Sequence, residues 1–318
     1  MGTRYRTYET CRVVDLKDVL ITGGTGFIGG HLVDFIEPRG YRVTVLTRAP
    51  QAPSSSPNAR NTKYVSQLEQ LDPDTRWYGV INLAGEPLNA GRWNDRRKAY
   101  YRESRVNLTR ELTGWMKTLA WPPEVFLSAS AIGWYGHWRD EPLDEDSDSH
   151  GGYAHELCRD WESAASQQVP AKTRFCVARI GIVLGADGGP LPAMMLPAQW
   201  GLGGPMGSGE QWWSWIHIRD LVRLFLFLLE NDQVNGIVNA TAPVPVRQRD
   251  FAGTLGRVLR RPAFLPLPAF AASLMLGEFA RELLLNGQRV IPRKAESADF
   301  QYLYPTLDSA LHELLGQR

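Results

Sequence analysis

Three glycines at 23, 26 and 29 close a short apolar run, Val19 to Ile21, in the segment DVLITGGTGFIGG, and an apolar stretch of helical period follows at once. Strand, tight turn and helix in that order make an anion cradle. The first glycine permits the sharp turn, the second lets backbone approach a pyrophosphate, and the third lets helix pack close to strand. The unpaired N–H groups of the first helical turn then face the phosphates. On this reading Gly23, Thr25, Gly26, Phe27, Ile28 and Gly29 hold a dinucleotide, and a branched residue at Gly26 would both fill the pyrophosphate space and strain the turn. Glycine-rich turns also serve as plain loop punctuation; the strand before and the helix after separate the two uses.

A second group with chemistry is Arg48, at the end of the β-branched run Tyr41 to Leu46. An acid at that strand end suits the ribose 2′-OH of NAD, whereas an arginine suits the 2′-phosphate of NADP. With no acid beside it, Arg48 points to NADP; a solvated surface arginine is the plain alternative. Further along, Ser128 and Ser130 stand at the end of the apolar run Val125 to Leu127, the edge at which open parallel sheets bind ligands. A hydroxyl there can hold a substrate oxygen or satisfy backbone. His217 is tempting as an acid/base group but reads better as a structural strand residue ahead of Asp220, which is placed to cap the next helix. Arg289, Arg293 and Lys294 either meet an anionic substrate or decorate a turn.

The elements that must position these groups follow from periodicity. A first helix should run from about Gly26 to Arg39, ended by Gly40, with a strand over Tyr41 to Leu46. Residues 49 to 61 read as an irregular loop, and a short strand is expected near Lys63 to Ser66. Gly79 to Leu83 is a strand running into Ala84 and Gly85. Asn94 to Leu119 is a long charged helix, Phe175 to Ile182 a strand, Leu221 to Leu229 a buried helix, and Ile237 to Ala240 a last strand. The pattern is α/β, a Rossmann-type doubly wound parallel sheet with a smaller C-terminal lobe: residues 1–17 an extension, 18–245 the nucleotide domain with 186–212 facing the cleft, and 246–318 the lobe. Five glycines in Gly201 to Gly209, followed by Trp212, Trp213 and Trp215, suit a substrate-facing loop at the cleft mouth, although tryptophans at that density also pack cores or dimers.

Bulk properties narrow the partners. The chain has 318 residues and a formal charge of +1, which calls for neither nucleic acid nor an anionic membrane. Its three cysteines, Cys11, Cys158 and Cys176, have no metal-ligand spacing and no disulfide framework. A reducing, cytoplasmic setting is expected, or a mitochondrial one if residues 1–17 act as a presequence. The expected partner is a small-molecule substrate, with a homodimer left open.

The T-G-x-x-G-x-x-G spacing resembles that of extended short-chain dehydrogenase/reductases. NLAGEP at 82–87, RWN at 92–94, SRVNLT at 104–109, WE at 161–162, GIVLGADGG at 181–189, GLGGPMGSGEQWWSWIHIRD at 201–220 and GQRVIPRK at 287–294 narrow the likeness. Together they resemble the atypical epimerase family of bacteria, plastids and animals, also labelled cell-division-inhibitor-like. The resemblance implies that Asn82, Leu83, Ala84 and Gly85 line the cofactor cleft and that Ser130 is the serine of the catalytic set, Ser128 being the runner-up. It also places Arg105 where extended reductases have an asparagine, so that its cation could face substrate or cofactor or pair with an acid. Active members use Tyr-x-x-x-Lys on one helix face, the lysine lowering the phenol's pKa. Aligned on Trp161-Glu162, this chain has Ala154 for the tyrosine and Cys158 for the lysine, with Tyr153 and His155 flanking the empty position. Cys158 is then either reactive or, as is commoner for a helix cysteine without a basic neighbour, inert. The implied function is an NADP(H)-binding oxidoreductase or epimerase-like enzyme of unidentified substrate; the alternative is a catalytically silent NADP(H)-binding regulator.

Overall fold

The computed structural model describes residues 16–48, 62–89 and 91–316. Cys11, the loop expected over 49–61 and residues 1–15 of the expected extension lie outside the described residues. Seven apolar runs form one sheet: β1 (Lys17–Thr22), β2 (Tyr41–Leu46), β3 (Lys63–Val65), β4 (Trp77–Asn82), β5 (Val125–Ala131), β6 (Arg174–Ile180) and β7 (Gly236–Ala240). Their order is β3-β2-β1-β4-β5-β6-β7, every neighbour parallel. The order reverses between β1 and β4, and that reversal opens a crevice at the carboxyl ends of the two strands.

The helices are α1 (Phe27–Ile36), α2 (Asp95–Thr118), α3 (Tyr153–Ser166), α4 (Leu191–Gln199), α5 (Ile218–Glu230), α6 (Gln248–Leu259), α7 (Ala269–Leu276), α8 (Arg293–Ser297) and α9 (Leu307–Leu315). Strands buried on both faces need continuous apolar runs, and alternate residues serve opposite layers. Val19 and Ile21 of β1 join Leu32 of α1 and Leu221 and Phe225 of α5, whereas Leu20 joins Leu112 and Met116 of α2. None of these helices is long and apolar enough to cross a membrane.

The strand expected over Phe175 to Ile182 is two strands. At Gly181 a Cβ would lie 2.5 Å from the Ser214 carbonyl oxygen, so the chain turns there and leaves the main sheet. Residues Ile182–Leu184 pair instead with Trp215–His217. A second core forms beyond this point from Leu184, Leu191, Trp213, Trp215, Phe251, Leu255 and Leu311. The smaller lobe therefore draws on residues well before 246, while Ala295 of α8 and Phe300 return to the main core.

Asp220 does not cap α5. The cap is His217, whose Nδ1 accepts from the Arg219 N–H at 3.0 Å. Asp220 instead accepts from the Leu303 and Tyr304 N–H groups at 2.8 and 2.9 Å, tying the chain after α8 to α5.

Candidate functional site

Gly23 has φ +70°, a left-handed conformation, and a Cβ there would lie 2.8 Å from the Leu83 carbonyl carbon. The first turn thus lies directly against the end of β4. Gly29 is excluded from carrying a side chain by packing, since its Cβ would fall 2.2 Å from the Gly23 oxygen. Gly26 differs from the sequence-based expectation: at φ −81° and ψ 175° it is extended, so a branched residue would not strain it. Its Cβ would meet only the Gly23 oxygen, at 3.3 Å, and otherwise point into open space. Space for a ligand, not backbone freedom, is what glycine gives there. No side chain caps α1, and the first intrahelical bond is Gly30 N–H to Gly26 O at 2.8 Å. The N–H groups of Phe27, Ile28 and Gly29 are left without intrahelical acceptors. An open cradle ringed by such donors fits a pyrophosphate.

The Phe27 ring does not face that cradle. It lies under a second glycine turn, where Cβ atoms at Gly185 and Gly188 would fall 2.5 and 2.2 Å from it. His31 and Asp187, 3.0 Å apart, close the same contact. Thr25 Oγ1 lies 3.3 Å from Thr47 Oγ1, and Arg48 follows at the end of β2 with 84% of its side chain exposed. Its guanidinium donates to the Tyr100 hydroxyl at 2.9 Å and reaches Glu86 at 3.4 Å.

Asn82, expected to line the cleft, is fully buried. Its amide accepts from the Thr22 hydroxyl at 2.7 Å and donates to Thr109 at 2.8 Å, and the Trp161 indole donates to the same Thr109 oxygen at 3.1 Å. Thr22 also accepts from the Ala84 N–H at 3.3 Å. Asn82 therefore fixes the backbone of residues 83–85 from behind. Arg105 does the same from below: it donates to the Tyr101 and Glu86 carbonyls at 3.2 and 2.9 Å, and its guanidinium would lie 2.9 Å from a Cβ at Gly85. Buried and bonded to carbonyls, with its pKa lowered by desolvation, Arg105 is a positioning residue in this geometry.

Ser130 and Cys158 come together. Ser130, at 2% exposure, donates to Glu162 Oε1 at 2.6 Å, and Glu162 is held by both Nε and Nη2 of Arg179 at 3.0 Å. The Arg179 guanidinium in turn lies 3.5 Å from the Trp134 ring centre. An ionised carboxylate only accepts, so the Ser130 proton is committed and its lone pairs remain. Sequence reasoning missed this partner. Only the four-residue step from Cys158 to Glu162 is visible in the sequence; the pairing of Ser130 with Arg179 is set by the register of β5 and β6. Burial pushes the Cys158 thiol up to about 11, against Ser130 and the Ala131 backbone. At neutral pH it is a thiol and not a nucleophile.

At the empty tyrosine position Ala154 packs against the turn that follows β5, where a Cβ at Gly133 would lie 3.1 Å from that of Ala154. Tyr153 points away and donates to the Lys98 carbonyl at 2.9 Å, and His155 bonds the Trp134 carbonyl. Trp213 and Trp215 are core residues of the lobe, while the Arg247 and Arg289 guanidinium groups lie 4.2 and 4.9 Å from the Trp212 ring centre. Arg293 pairs with Asp144 at 2.6 Å, and Lys294 donates to the Asn235 carbonyl.

The sheet reversal, the glycine turn and the uncapped helix beneath it define a Rossmann-type protein carrying a dinucleotide fingerprint. The chain belongs to the NAD dependent epimerase/dehydratase family, whose profile matches residues 19–241; a domain of unknown function, DUF1731, matches residues 267–314. It is 38% identical over 303 residues to the chloroplastic SDR39U1 homolog of Arabidopsis thaliana, covering 93% of this chain and 86% of that protein. It is 35% identical over 306 residues to YfhF of Bacillus subtilis, covering 95% and 99%. The crystal structure of human epimerase family protein SDR39U1 (isoform 2) with NADPH superimposes with a TM-score of 0.86 at 34% identity. That match covers 95% of this chain and all of the human one.

Proposed function

We propose that this chain binds NADP(H) in the β1/β4 crevice and acts as an oxidoreductase or epimerase-like enzyme on a small molecule between the nucleotide domain and the lobe. The observation that carries the reading is the cradle itself, with Gly26 open, Gly23 pressed on Leu83 and three N–H donors without intrahelical acceptors. The NADPH in the human relative supports it. Phe27, Ile28 and Gly29 N–H groups would hold the pyrophosphate, and Arg48 the 2′-phosphate, exchanging Tyr100 and Glu86 for it. The nicotinamide, when bound, supplies a hydride donor or acceptor.

The chain's own residues handle the proton differently from a lysine-activated tyrosine. Ser130 offers lone pairs, so it accepts from a substrate hydroxyl, and Glu162, clamped by Arg179, is the next acceptor in line. Ala154, Cys158 and the committed Ser130 proton favour a second reading, a silent NADP(H)-binding regulator. The test follows NADPH consumption over a panel of carbonyls and enones and, because an epimerisation returns its hydride to the cofactor, chromatographic formation of the epimer from nucleotide sugars. The enzyme reading expects turnover on at least one, reduced roughly 10- to 100-fold in Ser130→Ala, in line with one hydrogen bond of about 1 to 3 kcal/mol, and unchanged in Cys158→Ser. Tight NADPH binding with no turnover on any of them would favour the regulator.

A further inference from the structure

A cavity of about 950 Å³ opens in the lobe where α4, α6 and α9 end together. No residue of β1, α1, β4 or the glycine turn lines it, so it is separate from the cofactor crevice. Its volume falls within the range of small-molecule pockets, about 300–1,000 Å³. Part of its wall is apolar: Met195 and Leu315 belong to the second core, and Trp200 joins them with 79% of its surface exposed. The charged groups that line it are Arg257, Arg260, Arg261 and His312, and no acid does. Asp308, which does not line it, pairs with Arg257 at 3.4 Å and with His312 at 3.2 Å. That leaves Arg260 and Arg261, whose side chains make no ion pair or hydrogen bond among the described residues.

We infer that this cavity binds a single-chain anionic amphiphile, its phosphate or carboxylate head on Arg260 and Arg261 and its hydrocarbon chain along Met195, Leu315 and Trp200. A guanidinium offers paired N–H donors to two oxygens of either head. An alkyl chain takes the apolar wall out of water, and each methylene so buried tightens binding. An inorganic anion would leave that wall wet, and a neutral lipid would leave the arginines without a counter-charge. Concavity favours one enclosed ligand over a bilayer surface. Arg260 ends α6 at φ +54°, the left-handed conformation that glycine adopts without strain. Arg260→Gly therefore removes the cation and keeps the turn. Arginines at a helix C-terminus also favour its dipole, and that role alone would change stability but not ligand uptake.

The test is equilibrium dialysis of the full chain against dodecyl phosphate and against dodecanoate, each below its critical micelle concentration. At least one is expected to bind with a Kd of about 10 µM or tighter. The octyl homologue of that ligand should bind at least about tenfold more weakly, and so should dodecyltrimethylammonium, which has the same chain and a cationic head. Arg260→Gly/Arg261→Gln is expected to lose at least about tenfold in affinity with an unchanged circular dichroism spectrum. Trp200→Ser, on the apolar wall, should also weaken the dodecyl ligand and serves if the double variant does not fold. No uptake of either dodecyl anion, equal affinity for the cationic amphiphile, or a folded double variant that binds as tightly would overturn the inference. So would a chain that floats with phosphatidylcholine/phosphatidylglycerol vesicles but takes up neither monomer, which would assign the arginines to a bilayer.

Discussion

Arg48 stands at the end of β2 with most of its guanidinium in water, its two neighbours Tyr100 and Glu86 being hydrogen-bonding groups that a phosphate would replace. A charge-assisted contact to a 2′-phosphate contributes about 1.5 to 3 kcal/mol, so NADPH should bind at least about tenfold more tightly than NADH. In Arg48→Ala the NADPH affinity should fall by about that factor while NADH changes little. Fluorescence titration of both cofactors measures this, and equal wild-type affinities would remove Arg48 from the site. The arginine was readable because strand ends are visible in sequence. Ser130's partner was not, because Glu162 and Arg179 meet it only through the register of β5 and β6 and the facing of α3.

Within the strand-turn-helix element the three glycines have three different reasons to be glycine, and substitutions should separate them. Gly26→Val should fold with near wild-type stability, because the position is extended and open, yet lose NADPH binding. Gly29→Ala forces a methyl into the Gly23 carbonyl and should cost about 1 to 3 kcal/mol of stability. Chemical denaturation and NADPH titration on the same two proteins give the comparison; a destabilised Gly26→Val that still binds cofactor would invert the assignment. The strands and long helices were legible from apolar runs and helical period, whereas the cap of α2, Asn94 accepting from the Arg97 N–H, comes from the structure. The cap of α5 was misplaced on Asp220. A histidine that accepts through Nδ1 looks in sequence like any strand residue, and besides Arg223 the partners of Asp220 lie 83 and 84 residues away.

Across the molecule, His217 joins the sheet layer to the lobe, capping α5 through Nδ1 while Nε2 lies 3.0 Å from Glu313 of α9. Accepting at Nδ1 requires the neutral ring with its proton on Nε2, and burial lowers the pKa in agreement, outweighing the pull of Glu313. A folded-state pKa below the unfolded value of about 6.5 means that the unfolded chain takes up the proton first as pH falls. Stability from this group is therefore complete above about pH 6.5 and lost below it. Thermal unfolding followed from pH 7.5 to 5.5 should show that loss, and His217→Asn should flatten it; an equal slope in both would place the sensitivity elsewhere. The clasp on Phe27 has a consequence for synthesis on the ribosome. The ring belongs to α1, but the glycines that cover it lie at 185–189, so a nascent chain holds its cofactor turn unfinished until more than half of the protein has been made. A fragment ending near residue 180 would then leave Phe27 in water and should be recognised by chaperones or proteases as incomplete.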